Sequence, residues 1–373
     1  MRSVYAGLMT GTSLDGIDGV LASFDETGFE LAHHAFAPFP AALRQALEAL
    51  ILAPQLDFTT WAQTEKALSL FYAQHLEELL RHLPKNSQFI AAGCHGQTLE
   101  HRPELGFSFQ MLNPALIAEQ TGCHIVYDFR RRDLAAGGQG APLVPAFHLA
   151  YCTHADMPRV LINLGGIANV TWLPNKEECL GFDTGPANTL LDSWYQHLGL
   201  GNYDQEGRYA ASAPFHAELL EQLLDEPYFQ VLPPKSTGRE KFNLAWLEQR
   251  VGKEQLARFD PAQIMATLVE LTCCTLSQAI DRLDSKAKSS IFIAGGGAKN
   301  HFLMQRLQEH LAPRHCQSSL ALGIAEDQME ALAFAWLAFA FFNGQKANLP
   351  SVTGARHRVP LGHLCPGRAR SWL

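Results

Sequence analysis

The sequence predicts an α/β protein of two domains, each a mixed central sheet flanked by helices. Three observations carry that expectation. A strand, a glycine-rich turn and two further strands occur in the first half and again in the second. Long segments with apolar residues at helical spacing run between and after them. The chain has 373 residues, 47% hydrophobic and 18% charged, enough to bury two cores and too apolar for disorder.

Val4 to Met9 is an apolar run that stops at Thr10-Gly11-Thr12-Ser13-Leu14-Asp15-Gly16. A second strand is expected over 17–24 and a third over 28–37, with Asp25-Glu26-Thr27-Gly28 as the turn between them; such a meander is antiparallel. Gly11 and Gly16 permit positive φ, and the hydroxyls and backbone N–H groups of the first turn can converge on an anion. Asp15 and Asp18 can hold a hydrated Mg²⁺ or position a water. An ordinary hairpin with a Gly/Ser/Asp turn accounts for the same residues. Helices follow at 41–52 and 58–83, the second ended by Pro84. The strand 89–94 runs into His95-Gly96-Gln97-Thr98, a polar tip. A short strand at 107–111, a helix opened by Asn113-Pro114 and a strand at 123–127 complete the first half. Residues 128–145 are rich in Gly and Ala and read as a loop, with a domain boundary near 131.

The second half repeats the grammar. A strand at 159–164, the Gly165-Gly166 turn, a strand at 167–173 and a short strand at 179–182 lead to Asp183-Thr184-Gly185-Pro186 and a helix to 198. Gly165 and Gly166 occupy the position of the N-terminal turn, as a second phosphate loop or a plain Gly-Gly hairpin. Asp183 is the candidate general base, at the tip of a strand where a helix begins; aspartates there also cap helices. Helices are expected at 214–224, 243–250 and 261–283. The strand 290–294 feeds Gly295-Gly296-Gly297 and a helix from 300 to 311, as nucleotide-contacting turns do. A long apolar helix runs from 325 to 342, and the tail beyond Gly344 has little periodicity.

Several classes are excluded. A net charge of −8 argues against a general nucleic-acid partner. Eight cysteines without C-x-x-C spacing favour reduced thiols. The N-terminus lacks signal-peptide features, and the longest apolar stretch, Ala331 to Phe342, is too short for a bilayer, so a soluble, cytoplasmic protein with no membrane partner is expected. A dinucleotide fingerprint would need Gly where Asn300 stands, and there is no Walker loop, hydrolase elbow or zinc spacing.

Gly11-Thr12-Ser13-Leu14-Asp15-Gly16-Ile17-Asp18, His95-Gly96-Gln97-Thr98, Asn163-Leu164-Gly165-Gly166-Ile167-Ala168-Asn169 and Gly181-Phe182-Asp183-Thr184-Gly185-Pro186 together resemble the anhydro-N-acetylmuramic acid kinase family of bacterial cell-wall recycling, within the actin, sugar-kinase and chaperone ATPase superfamily. The resemblance runs over essentially the whole chain. It implies two RNase H-like domains with a cleft between them, 1–131 plus about 335–373 and 132–334. It implies ATP and Mg²⁺ as cofactors, and an amino sugar that is opened by water and phosphorylated on O6. Residues 11 to 18, Gly165, Gly166 and Gly295 to Gly297 would then hold ATP. Asp183 would be the base, and His95, Gln97, Thr98, Arg130, Asp183 and Glu326 would hold the sugar, with Arg130 facing its carboxylate. Many superfamily members carry an aspartate on the first strand near the metal. Here that strand reads Gly7-Leu8-Met9, which leaves water, Asp15, Asp18 or Asp183 to make the metal contact, with Asp15 and Asp18 as the metal candidates, directly or through water. A homodimer is the default assembly. A conventional sugar kinase acting on a free hydroxyl, or a non-catalytic ATP switch, are the alternatives.

Overall fold

The computed structural model describes residues 1–11, 13–52, 55 and 57–368. In chain order the strands are β1 (Arg2–Met9), β2 (Gly16–Phe24), β3 (Phe29–Pro38), β4 (Ser87–Cys94), β5 (Gln97–Arg102), β6 (Phe107–Met111), β7 (Ile125–Tyr127), β8 (Arg159–Leu164), β9 (Ile167–Leu173), β10 (Leu180–Pro186), β11 (Ser290–Ala294), β12 (Cys316–Ser318) and β13 (His363–Cys365). The helices are α1 (Ala41–Leu52), α2 (Phe58–Leu80), α3 (Pro114–Thr121), α4 (Phe129–Ala135), α5 (Val144–Tyr151), α6 (Asn188–His197), α7 (Ala217–Leu224), α8 (Leu244–Val251), α9 (Lys253–Leu256), α10 (Pro261–Leu283), α11 (His301–Leu311), α12 (Met329–Phe342) and α13 (Pro350–Thr353).

The chain divides into two compact units, residues 1–147 with 328–373, and residues 148–327. The first unit holds a six-stranded sheet in the order β13-β7-β4-β1-β2-β3, and a separate β5–β6 hairpin. β1, β2 and β3 pair antiparallel, whereas β4 joins β1 and β7 joins β4 in parallel. The second unit holds a five-stranded sheet in the order β10-β9-β8-β11-β12. There β8, β9 and β10 pair antiparallel, and β11 joins β8 and β12 joins β11 in parallel. Third, second, first, fourth, fifth is the strand order in both, so the repeated grammar of the sequence is a repeated topology. Both sheets are mixed and flanked by helices, as expected.

In the first unit α12 lies directly on the sheet. A Cβ on Gly7 of β1 would sit 1.9 Å from the Ala331 carbonyl oxygen, and one on Gly93 of β4 would sit 2.1 Å from that of Phe334. Glycine inside a strand marks such a close approach of backbones. The other face is covered by α1 and α2, which bring Leu47, Leu68, Tyr72 and Leu76 into one buried cluster with Leu8, Ile17 and Leu21. In the second unit α10 is the central helix, and Ile264, Leu268, Leu271 and Leu276 join β8 and β11 in the core.

Two expectations are corrected. Residues 129–135 and 144–151 are helices and not loop, and the tail contributes α13 and the edge strand β13. Asp133, fully buried, explains part of this. It accepts hydrogen bonds from Asn348 Nδ2 and Thr353 Oγ1 at 2.8 Å each and from Gly140 N–H at 2.8 Å. Those bonds tie α4 and the tail into one unit, which extends to Phe147 and resumes at Gln328; the expected limits were 131 and about 335. α10 differs from the apolar stretch at 331–342 in length. Its 23 residues are long and apolar enough to cross a membrane, which the shorter stretch at 331–342 is not. Within the protein, 83% of its most apolar window is buried, as in a core helix.

The Gly7 approach yields a prediction. Gly7→Ala should destabilise the protein by about 1–3 kcal/mol, the usual cost of forcing extra volume into a packed interior. An unchanged urea unfolding midpoint would show that α12 can move away freely.

Candidate functional site

The first unit gathers several of the expected residues at the C-terminal ends of β1 and β4. Thr10, 1% exposed, bonds Tyr72 Oη at 3.0 Å and donates its hydroxyl to the Gly96 carbonyl at 2.9 Å. Its hydroxyl therefore ties the first turn to the 95–98 tip and is not offered to a phosphate. Gln97, fully buried, donates Nε2 to the Gly11 carbonyl at 3.2 Å, while its Oε1 finds no protein donor. Thr98 Oγ1 accepts from Gln110 at 3.1 Å.

The turn itself is split in character. Leu14 has φ +56° and is 5% exposed, and Ile17 is fully buried, so both side chains belong to the core and only their backbones can face a nucleotide. Thr12 lies outside the described residues. Gly16 opens β2 and packs on β3, where a Cβ would meet the Ala37 carbonyl oxygen at 2.2 Å. Ser13 donates to Asp15 Oδ1 at 2.7 Å on the exposed side of the turn. Asp18 pairs with His34 Nε2 at 3.2 Å. Two carboxylates with hard oxygen donors suit a hydrated Mg²⁺.

His95 and Arg130 form one pair. Arg130, on α4, donates from one terminal nitrogen to the Gly140 carbonyl at 2.8 Å and from the other to His95 Nε2 at 2.9 Å. Burial, reinforced by the Arg130 charge, holds the His95 pKa well below its ordinary value, so the ring is neutral and its Nε2 accepts. The carbonyls of Thr10 and Gly96 act in the opposite sense and are outweighed.

The second unit builds the other part. Asp183 lies where β10 bulges against β9. It does not cap a helix. The N-cap of α6 is Ala187, without a side-chain bond. Instead Asp183 Oδ2 accepts the Thr237 backbone N–H at 3.0 Å, its own N–H donates to the Lys235 carbonyl at 3.2 Å, and its carbonyl accepts the Tyr228 hydroxyl at 2.9 Å. The segment 228–237 thus clamps the aspartate, a feature with no local signal in the sequence.

The glycine turns meet each other. A Cβ on Gly295, whose φ is +87°, would strike Asn163 Oδ1 at 2.5 Å, and one on Gly297 would strike the Leu164 Cβ at 2.7 Å. Gly296 faces open space. The Gly165 and Gly166 carbonyls accept the N–H groups of Ala187, Asn188 and Thr189, so those three donors are engaged. Glu326 accepts from Ser318 Oγ, and its carbonyl takes the Gly295 N–H at 2.8 Å.

Away from these residues, Glu270, Cys274 and His310 lie close enough to hold a metal. Arg306 binds both oxygens of the buried Glu270, and His310 Nε2 sits 2.8 Å from the second, which is an ion-pair cluster between α10 and α11. A cavity of about 300 Å³ lies along Phe182 and Thr184, the neighbours of Asp183 that alternate to the other face of β10.

Removing the Arg130 charge should raise the His95 pKa. Histidine NMR on Arg130→Gln is expected to show a ring that protonates at higher pH than in the unaltered protein. The depressed value also means that this ring's contribution to stability is lost as pH falls below about 6.5. A His95 that already titrates near 6.5 in the unaltered protein would contradict the neutral assignment.

Comparison with known proteins finds relatives along the whole chain. A family model described as anhydro-N-acetylmuramic acid kinase matches residues 3–367. A protein of that name from Shewanella amazonensis is 44% identical over 369 residues, covering 98% of this chain and 99% of the relative. One from Nitrosomonas europaea is 44% identical over 366 residues, covering 97% and 98%. Among solved structures, an activator of the 2-hydroxyisocaproyl-CoA dehydratase from Clostridium difficile aligns over 90% of this chain and 94% of its own, at a TM-score of 0.44 and 11% identity, too slight a likeness to bear on function.

Proposed function

The chain belongs to the anhydro-N-acetylmuramic acid kinase family, and we propose that it uses ATP and water to convert 1,6-anhydro-N-acetylmuramic acid into N-acetylmuramic acid 6-phosphate, in peptidoglycan recycling. It is a phosphotransferase acting on a sugar. The observation that carries the finer reading is the clamp on Asp183: a carboxylate in ladder register with Asn169 and through it with Asn163, where the Gly295 turn packs, oriented by a backbone N–H and not spent as a helix cap.

The reaction assigns the roles. Asp183 takes a proton from water as that water attacks the anomeric carbon. The bond from that carbon to the bridging oxygen breaks, and the bridging oxygen becomes O6. O6 attacks the γ-phosphorus, the bond to ADP breaks, and the proton taken by Asp183 leaves to solvent. Arg130, held by His95, offers a planar cation to the sugar's carboxylate. Gln97, with its unspent Oε1, Thr98 and Glu326 hold sugar hydroxyls and the amide. Backbone groups of residues 11–18, Gly165, Gly166 and Gly295 to Gly297 hold ATP. Mg²⁺, when bound with ATP, would offset phosphate charge, and Asp15 and Asp18 would hold it directly or through water. The free state of all eight cysteines supports a reducing compartment, the cytoplasm. A symmetric dimer is the assembly we expect.

Asp183→Asn should lower sugar-dependent ADP release by about 10²–10⁴-fold, the range for losing a general base, with ATP binding retained. Near-normal turnover would remove the aspartate from this role. In ¹⁸O water the label should enter the anomeric hydroxyl during turnover, faster than mutarotational exchange; label-free product would favour a conventional kinase acting on a free hydroxyl. Chelating Mg²⁺ should abolish ADP release and its return should restore it; unaffected turnover would rule out the metal.

A further inference from the structure

Thr237 joins two features of the second unit. Its N–H holds Asp183 Oδ2, while its own Oγ1 is buried and has no hydrogen-bond partner. Two residues on, the exposed Arg239 lies over the Gly165–Gly166 turn. A Cβ on Gly166 would come 3.5 Å from Arg239 Nε and 3.7 Å from one of its terminal nitrogens. The same Cβ would come 2.5 Å from Thr189 Oγ1. Thr189 is 5% exposed, and its hydroxyl also lacks a partner. Buried hydroxyls are ordinarily satisfied, so an unsatisfied one against the Gly166 turn, and a second on the segment that carries Arg239 to that turn, mark a place where a ligand's oxygens complete the bonding.

We infer that Thr189, Thr237 and Arg239 bind the terminal phosphoryl group of the nucleotide above the Gly166 turn; this rests on the kinase reading. A phosphoryl group presents several anionic oxygens, which matches two hydroxyls and a guanidinium fork. Arg239 also has a fixed counter-charge: Asp192 on α6, whose carboxyl burial pushes up to about 6 while Arg239 opposes the rise. The segment 235–239 then serves both halves of the chemistry. Its Thr237 N–H orients the base and its Arg239 meets the group being transferred. Neither residue type nor spacing announces this, because the two contacts are made to elements more than 50 residues earlier in the chain.

The test is calorimetric titration of ADP, a non-hydrolysable ATP analogue and the sugar 6-phosphate into the full-length protein, alongside Arg239→Ala, Arg239→Lys, Thr189→Val and Thr237→Val. Arg239→Ala should weaken the ATP analogue by about tenfold or more, as for a lost charge-assisted hydrogen bond, and leave ADP within about twofold. Arg239→Lys should recover part of the loss, and each valine should weaken the analogue by a few-fold. Equal weakening of ADP and the analogue, or of neither, in a variant with an unchanged unfolding midpoint overturns the assignment. So does a loss confined to the sugar phosphate, which would give the subsite to the product. Should Arg239→Ala fail to fold, Arg239→Lys and Thr237→Val carry the same comparison. Loss of analogue discrimination in a protein whose unaltered form releases no ADP with the anhydro sugar would reject the kinase reading and keep the subsite.

Discussion

The backbone-to-backbone seating of α12 on β1 and β4 is the constraint on which the first unit depends. Gly7 and Gly93 are paired neighbours in the parallel ladder, and the helix carbonyls of Ala331 and Phe334 occupy the space where their side chains would be. That seating brings the Phe334 ring to 4.8 Å from His95 and 5.4 Å from Phe129. The helix therefore backs the His95–Arg130 pair. It also fixes the ends of two parallel strands side by side, which is where ligands bind in open α/β sheets. The absence of an aspartate at Gly7 follows from the same packing: no side chain of any kind fits there.

The second unit uses the same device at a turn instead of a strand. Gly295 and Gly297 let the loop after β11 close onto the Asn163–Leu164 end of β8, its parallel neighbour. In each unit, then, the first and fourth strands run parallel and their C-terminal ends carry the polar residues. A hydrogen bond from Gln97 to Gly11 joins the ends in one unit, and direct backbone packing joins them in the other. The topological repeat is exact in order while the joining chemistry differs, which is why it is faint as a sequence repeat.

What was legible in the sequence is what local physics determines. The apolar runs between turn residues marked the two meanders, the helical spacing marked α2 and α10, and the glycine turns stood out because glycine at a strand end is costly without a reason. The helix α4 was not legible, because Phe129–Ala135 carries four consecutive charges, Arg130 to Asp133, and its stability comes from Asp133 bonding residues more than 200 positions away. The roles within the first turn were equally hidden. Thr10 and Ser13 are both hydroxyl residues in one polar stretch, yet one is buried against Tyr72 and the other faces solvent.

Three contacts from one segment fix Asp183: the Thr237 N–H on Oδ2, the Lys235 carbonyl on its N–H and the Tyr228 hydroxyl on its carbonyl. The nearest cation on the clamp, Lys235, is 7% exposed and spends its ammonium on the Tyr228 carbonyl at 3.0 Å, with the Tyr228 and Phe182 rings at 4.5 and 5.9 Å. Burial lowers its pKa to about 8, a cost that a direct bond to a carboxylate would have relieved. The lysine's backbone carbonyl thus fixes the aspartate in place, while its ammonium bonds the Tyr228 carbonyl and is favoured in its charged form by the aspartate's field. A carboxylate salt-bridged to an ammonium would be a weaker acceptor for a water proton, since the ion pair stabilises the charged form that has to be consumed. The Thr237 backbone N–H orients one carboxylate oxygen without bringing a full charge to it. The peptide clamp and the placement of the ammonium are therefore one arrangement, made by the segment 228–237 and not by a helix start.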